Sequence, residues 1–241
     1  MKNRRLLREY VRQLINEASG SSYSSLAAVF TRYSFGGKME LGAYIYDPGM
    51  LVSEMKMGKT VRKATEAATL GVIIVGSIGE EDGNCNGAWQ VKKSWARDRG
   101  DGRMVYGLGF AMAPDRVLVP DRGSVSPSAG AGWEKVAAKG FPSQPLDNIR
   151  SHDDKGKETF PHANHTDDPA DDCVLLGDKN RPHLDRSYTH PDREMWLTVA
   201  GAMEVNHEAT MERIAALGVE RRDIELAVRA AANGAFLEAL P

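Results

Sequence analysis

The sequence predicts an α/β fold: a mixed sheet flanked by helices, with an N-terminal amphipathic helix and a C-terminal helical extension. Between residues 72 and 141, short apolar runs rich in β-branched residues alternate with longer helical patterns. Helical periodicity also marks both ends of the chain, at residues 2–18 and 194–240. The 241 residues are enough to bury one substantial core.

Composition is that of an ordinary globular protein, with 41% hydrophobic and 27% charged residues. No apolar run approaches the roughly 20 residues that span a bilayer. The basic N-terminus also lacks the apolar stretch of a signal peptide. A net charge of −2 gives no general attraction to nucleic acid or acidic lipid. We therefore expect no membrane partner, and a nucleic-acid partner is disfavoured.

The chain has two cysteines, Cys85 and Cys173. So few cysteines argue against a disulfide framework and favour a reducing compartment. Cys173 precedes the apolar run Val174-Leu175-Leu176 and is predicted to be a small buried apolar residue. The sequence therefore predicts a cytoplasmic protein without disulfides.

Residues 1–25 are predicted to form a basic helical arm and a linker. The arm, residues 2–18, has apolar residues at helical spacing: Leu6, Leu7, Tyr10, Val11, Leu14 and Ile15. Ser19 to Ser22 then form a flexible joint. Two interpretations stay open: the arm packs on its own domain, or it docks on a larger assembly. Binding of this helix to a membrane or nucleic acid is a less favoured interpretation, because Glu9 and Glu17 reduce its net positive charge.

Residues 26–145 are predicted to form the α/β core. In chain order, its first elements are strands at Leu26–Tyr33 and Leu41–Tyr46 around a Gly36-Gly37 turn, a helix at Leu51–Thr69, and strands at Val72–Val75 and Ala88–Val91. Next are a loop at Arg97–Arg103, a helix at Met104–Ala113, a strand at Val117–Val119 and a helix from Pro127 to about Lys139. Gly140 is the predicted stop of the last helix.

Residues 146–193 are predicted to be an acidic, irregular segment. Between Asp147 and Asp192 there are eleven acidic residues, six Lys or Arg, and five of the six histidines. His162, His165 and the nearby aspartates raise the question of a metal site, but paired cysteines and EF-hand spacing are lacking. We therefore predict a solvated loop without metal. Three helices are predicted in residues 194–241, around Trp196–Met203, Met211–Leu217 and Ile224–Ala231.

The loop before the Met104 helix is the strongest candidate for a ligand site. Glycine amides can approach a ligand closely, and a helix N-terminus favours an anion such as a pyrophosphate. The candidate binding residues are Arg97, Arg99, Gly100, Asp101, Gly102 and Arg103. The alternative interpretation is a plain connection between two elements.

The spacing R-x-x-G-x-G of this loop resembles the coenzyme A pyrophosphate loop of the GNAT acyltransferase superfamily, written Q/R-x-x-G-x-G/A. The helix, strand and helix that follow, ending in Gly140-Phe141, are also similar to that superfamily. The resemblance implies a GNAT-like mixed sheet and acetyl-coenzyme A as the cofactor. It also implies that the coenzyme binds between two splayed parallel strands, here Trp89–Ser94 and Val117–Val119.

The chain further resembles uncharacterised GNAT-like proteins of tailed phages. The shared pattern includes Gly100-Asp101-Gly102, Val105-Tyr106, Pro120-Asp121-Arg122, Ser124-Val125-Ser126, Ala129 and Trp133. This resemblance implies a location in the host cytoplasm or in the virion. It also implies phage structural proteins as partners of residues 2–18.

In the GNAT mechanism an acceptor amine, on a small molecule or a protein, attacks the thioester directly. The usual acid is a tyrosine at the position held here by Trp133, whose indole cannot supply a proton. Tyr106 or a water molecule would then act as the acid in place of that tyrosine. Glu80 and Glu81 are candidate bases, or ordinary turn residues.

Asp121 and Arg122 are candidate acceptor-binding residues, or an ion pair that holds the turn. Two functions follow from these resemblances: an N-acetyltransferase, or a catalytically inactive structural protein on the same scaffold.

Overall fold

The fold is a seven-stranded mixed sheet with helices packed on it, so the predicted α/β class is confirmed. The computed structural model describes residues 23, 25–35, 37–78, 85–98, 102–114, 117–120, 127–148, 172–173, 182–184 and 186–238. The predicted arm at residues 2–18 and most of its linker lie outside this set.

The seven strands of the main sheet are β1 (Ala27–Phe35), β2 (Lys38–Tyr46), β3 (Thr69–Ser77), β4 (Trp89–Ala96), β5 (Val117–Val119), β6 (Ser143–Pro145) and β9 (Arg186–Thr189). Their order across the sheet is β1-β2-β3-β4-β5-β9-β6. All neighbours are antiparallel except β4 and β5, which are parallel. β7 (Asp147–Asn148) and β8 (Asp172–Cys173) form a separate parallel pair.

Of the predicted turn at Gly36-Gly37, Gly37 is described, and it lies between β1 and β2. Phe35 pairs with Lys38 on the two sides of the turn. Gly37 has φ +78°, a backbone region that glycine reaches without steric penalty. Both strands of this hairpin had been predicted from their apolar and β-branched residues alone.

The six helices of the described residues are α1 (Pro48–Lys56), α2 (Val61–Ala68), α3 (Gly102–Met112), α4 (Pro127–Ala138), α5 (Arg193–Ala215) and α6 (Arg221–Glu238). The prediction of one helix over Leu51–Thr69 is wrong, because α1 and α2 are separate. Gly58, at φ +80°, follows α1, and the Thr60 side chain caps α2 by accepting from the Lys63 amide. Thr69 already belongs to β3.

The C-terminal half also differs from the prediction. Two helices replace the predicted three, since the 23-residue α5 runs through the predicted break. The segment predicted to lack regular elements, residues 146–193, supplies β9 to the main sheet. Tyr188 of β9 pairs with Leu118 of β5 on one side and with Ser143 of β6 on the other.

Helices cover both faces of the sheet. On the first face, α3, α4 and α5 enclose a core that includes Ile73, Phe110, Trp133 and Trp196. On the second face, α1, α2, α6 and the end of α5 enclose another core. Within the described residues, no helix combines the length and the apolar character that crossing a membrane requires.

Cys85 and Cys173 are joined by a disulfide, which corrects the expectation of two free thiols. Both residues are fully buried, as expected for Cys173, and they pack with Ala88, Val119 and Leu146. Their Cα atoms lie 4.7 Å apart, within the range that a disulfide requires. The two cysteines are 88 residues apart in sequence, so local spacing gave no sign of the pairing.

Candidate functional site

β4 and β5 are neighbours over only part of their lengths. Trp89 pairs with Leu118, and Gln90 pairs with Val119. β5 ends there, whereas β4 continues to Ala96 while paired with β3 on its other side. Beyond Gln90, the edge of β4 that faces away from β3 therefore has no strand partner among the residues described.

A β-bulge lies in β4, two residues beyond its last pairing with β5. The register of β3 with β4 shifts between Ile74 and Val75, which leaves Lys92 as an extra residue in β4. A bulge bends its strand and increases the local twist. The Lys92 ammonium donates to the side-chain carbonyl of Gln90, the last β4 residue paired with β5. The bulge therefore bends β4 just beyond its last pairing with β5.

Tyr106 extends from α3 onto the part of β4 beyond its pairing with β5. Its hydroxyl lies 3.1 Å from Oγ of Ser94. Its ring meets the Trp133 ring edge-on, with the centroids 5.2 Å apart. A Cβ at Gly132 would lie 3.5 Å from Cε2 of Tyr106. Tyr106 therefore connects α3, α4 and the part of β4 beyond its pairing with β5.

The environment of Tyr106 keeps its hydroxyl protonated. Burial raises the pKa of Tyr106 above its ordinary value, and the hydrogen bond with Ser94 opposes this only in part. At neutral pH the group is a hydrogen-bond donor or acceptor and not a phenolate. A raised pKa also makes complete proton transfer from it harder, so its natural action is to donate a hydrogen bond to a developing anion.

α3 begins at Gly102, the second glycine of the predicted loop. In the described part of the chain, a Cβ at this position would meet no atom within 4 Å. The first amides of a helix have no partner inside the helix, and together with the helix dipole they favour an anion. Arg103 follows with an exposed side chain and adds positive charge. These two members of the predicted loop thus lie at a helix N-terminus.

Arg97 is directed elsewhere. Its guanidinium donates to the carbonyl oxygens of Glu66, at 2.6 Å, and Ala67, at the C-terminal end of α2. Cations are favourable at this end of a helix, where the last carbonyl groups have no partner inside the helix. We therefore remove Arg97 from the predicted anion-binding residues, because its donors already serve α2.

The other predicted site residues lie outside the described residues. They are Arg99, Gly100 and Asp101 of the loop, the candidate bases Glu80 and Glu81, and the candidate acceptor residues Asp121 and Arg122. The same holds for His162, His165, Asp167, Asp168 and Asp171, whereas Asp172 lies in β8. Their roles remain sequence predictions.

Trp133 is a core residue. It is 1% exposed, and its ring packs against Tyr188, with centroids 5.3 Å apart, and against Phe110, at 6.4 Å. Its position fixes α4 against α3 and β9. An indole N–H is only a hydrogen-bond donor, so Trp133 cannot supply a proton to a leaving group.

Two features of the site were missed from the sequence. Ser94 was placed in a strand but not linked to Tyr106, since their contact arises only when α3 packs on β4. The disulfide was also missed, although its cluster includes Ala88, directly before β4, and Val119 of β5. The segment just before β4 is therefore covalently linked to β8.

A scan of protein-family models, a search of curated proteins and a search of solved structures each gave no match to this chain. Among the side chains that the structure describes, no group of three or more His, Cys, Asp or Glu is arranged to hold a metal ion.

Proposed function

We propose that this chain is an acyl-coenzyme A-dependent N-acyltransferase-like protein that binds acetyl-coenzyme A between β4 and β5. The observation that carries the proposal is the pairing of these parallel strands through two residue pairs only, followed by a bulge at Lys92. An edge of β4 that continues beyond the end of β5 can offer its amides and carbonyls to a ligand. The pantetheine arm, with its two amides, has the chemistry to hydrogen-bond to such an edge.

The pyrophosphate of the coenzyme would bind in front of α3. The first amides of α3 and the dipole of the helix favour the anion, and Arg103 supplies a nearby cation. Arg99, Gly100 and Asp101 are assigned to the same site from the sequence alone. Arg97 has no part in it, because its guanidinium binds the end of α2.

Tyr106 is the proposed partner of the leaving group. The acceptor nitrogen attacks the thioester carbonyl carbon, the C–N bond forms and the C–S bond breaks. A base removes the surplus proton from the nitrogen, and the sulfur leaves as a thiolate that accepts a hydrogen bond or a proton. The Tyr106 hydroxyl, already beside Ser94 on β4, would supply that hydrogen bond. Glu80 or Glu81 would act as the base, and Asp121 and Arg122 would bind the acceptor.

The buried position of Trp133 supports a second candidate, a structural protein on an inactive GNAT-like scaffold. The residue at the family's acid position is locked in an aromatic core and cannot protonate a thiolate. In this case the chain would act through assembly contacts of residues 2–18, for example with phage structural proteins, and would not bind acetyl-coenzyme A.

Calorimetric titration with acetyl-coenzyme A tests the proposal. The native chain should bind, and Gly102→Glu should abolish binding, because a carboxylate would stand at the anion site. Gly201→Glu is the matched control: Gly201 is exposed on α5, and a Cβ there meets nothing within 4 Å in the described structure. No heat of binding at millimolar coenzyme would reject the proposal and favour the structural candidate.

A further inference from the structure

A groove opens on the first face of the sheet, beside β1. It is lined by Phe30, Thr31, Arg32, Leu41 and Met112, and we call it the edge groove. Phe30, Leu41 and Met112 are half-buried and lean on the first core from its outer side. Covering apolar side chains in such a position removes them from water and is therefore favourable.

The size of the edge groove favours side chains over a cofactor. It encloses about 260 Å³ and is open to solvent. Small-molecule sites usually enclose about 300–1,000 Å³ and bury most of their ligand. A shallow apolar groove of this size fits a few aliphatic or aromatic side chains from a helix laid across it.

The N-terminal segment of the same chain emerges close to this groove. Tyr23, the first residue described, stacks on Trp196 with ring centroids 5.7 Å apart. Trp196 in turn crosses α3 at Gly107, where a Cβ would lie 2.2 Å from its Cε2. Met112 of the edge groove is five residues further along α3, which is about 7.5 Å at the helical rise of about 1.5 Å per residue. Tyr23 and the edge groove therefore lie on the same face of the sheet.

The length of the segment is sufficient to reach the edge groove. Residues 19–22 can extend over about 13 Å at roughly 3.3 Å per residue. The predicted helix at residues 2–18 would be about 25 Å long, with Leu7, Leu14 and other apolar residues on one side. A helix of this length is marginal in water on its own, so its apolar side requires a surface to cover.

We propose that residues 2–18 dock as an amphipathic helix into the edge groove of their own chain. The apolar side of the helix covers Phe30, Leu41 and Met112, and its basic side faces solvent. Of the two interpretations that the sequence left open, this selects packing on the same domain. The proposal does not depend on coenzyme binding, because the edge groove and the proposed coenzyme site between β4 and β5 involve different residues.

Hydrogen–deuterium exchange of the full-length chain tests the docking. Amides of residues 5–17 should exchange at least about tenfold more slowly than in a free peptide, because an undocked helix of this length gives little protection. Met112→Glu should remove this protection by placing a carboxylate in the groove. Met57→Glu is the matched control, since Met57 is 63% exposed at the end of α1 and should leave the protection unchanged.

A variant in the arm keeps the test valid if Met112→Glu fails to fold. Leu14→Glu should release residues 5–17 without affecting the core. The proposal is overturned if residues 5–17 are unprotected in the native chain, or if either variant leaves their protection intact. It is also overturned if protection appears only at concentrations where sedimentation shows a dimer, because the occupant is then a second copy.

Discussion

Gly107 of α3 lies directly under the indole of Trp196, so close that a Cβ on residue 107 would stand 2.2 Å from Cε2 of Trp196. Trp196 is fully buried and cannot move aside freely. Gly107→Ala should therefore force α3 and α5 apart and destabilise the chain by about 1–3 kcal/mol or more. Urea unfolding followed by circular dichroism measures this loss.

Gly201→Ala provides the comparison for that measurement. Gly201 is inside α5 but exposed, with open space around its Cβ position within the described structure. Alanine there should stabilise the helix by about 0.5–1 kcal/mol. If both variants shift stability in the same direction, contact with Trp196 is not what requires glycine at position 107.

Tyr106→Phe separates coenzyme binding from catalysis. The variant keeps the ring that packs on Trp133 and loses the hydroxyl that lies beside Ser94. The Kd for acetyl-coenzyme A should stay within about twofold, while kcat should fall about 100-fold or more if the hydroxyl assists the leaving thiolate. Steady-state assays with a panel of amines measure the second effect. An unchanged kcat would remove Tyr106 from the mechanism.

Removal of the disulfide should destabilise the chain. Cys85 and Cys173 close a span of 88 residues and are fully buried. Replacing both with alanine should cost about 2–5 kcal/mol of unfolding free energy. Chemical denaturation of the double variant, compared with the native chain with and without reductant, measures the loss. Equal stability of all three would show that the two cysteines act only as small buried side chains.

Stability should fall in mild acid because of His190. Its Nδ1 lies 2.9 Å from the Asp192 amide, and its Nε2 lies 3.1 Å from Nε1 of Trp196. The neutral ring accepts a hydrogen bond from one of these two donors, and the protonated ring from neither. Burial lowers the pKa of His190 below its ordinary 6.5; nearby Asp192 opposes this, and Arg103 and Lys139 add to it.

The sign of the pH effect follows from that shift. The unfolded chain binds the proton first, so the His190 contribution is complete above about pH 6.5 and is lost as the pH falls toward the folded pKa. Unfolding free energies at pH 5, 6 and 7 should show this decline, and His190→Gln should reduce its slope. An identical slope in that variant would assign the acid sensitivity to other groups.

Local patterns in the sequence predicted much of the framework. The apolar runs at residues 72–75 and 117–119 are strands, and Gly140, at φ +69°, follows α4 where a stop was expected. Gly58 and Thr60 carried the signal that separates α1 from α2, but the run of helix-forming residues around them outweighed it. The local sequence was sufficient to predict an element wherever the residues that form and end it are neighbours in the chain.

Long-range pairing could not be predicted in the same way. β9 consists of four residues without a clear apolar alternation, and it is a strand because β5 and β6 flank it. The contact of Tyr106 with Ser94 depends on how α3 packs, and the site of Arg97 depends on the nearby end of α2. These features arise from tertiary packing, which the spacing of residues along the sequence does not reveal.

Hydrogen–deuterium exchange with and without acetyl-coenzyme A locates the coenzyme on the chain. Amides of residues 91–96 that face away from β3 should exchange rapidly in the free protein, since β5 does not pair with them. Bound coenzyme should slow these amides and the amides in the first turn of α3. Binding by calorimetry with no change at these amides, or with slowing confined to another part of the chain, would contradict a coenzyme site between β4 and β5.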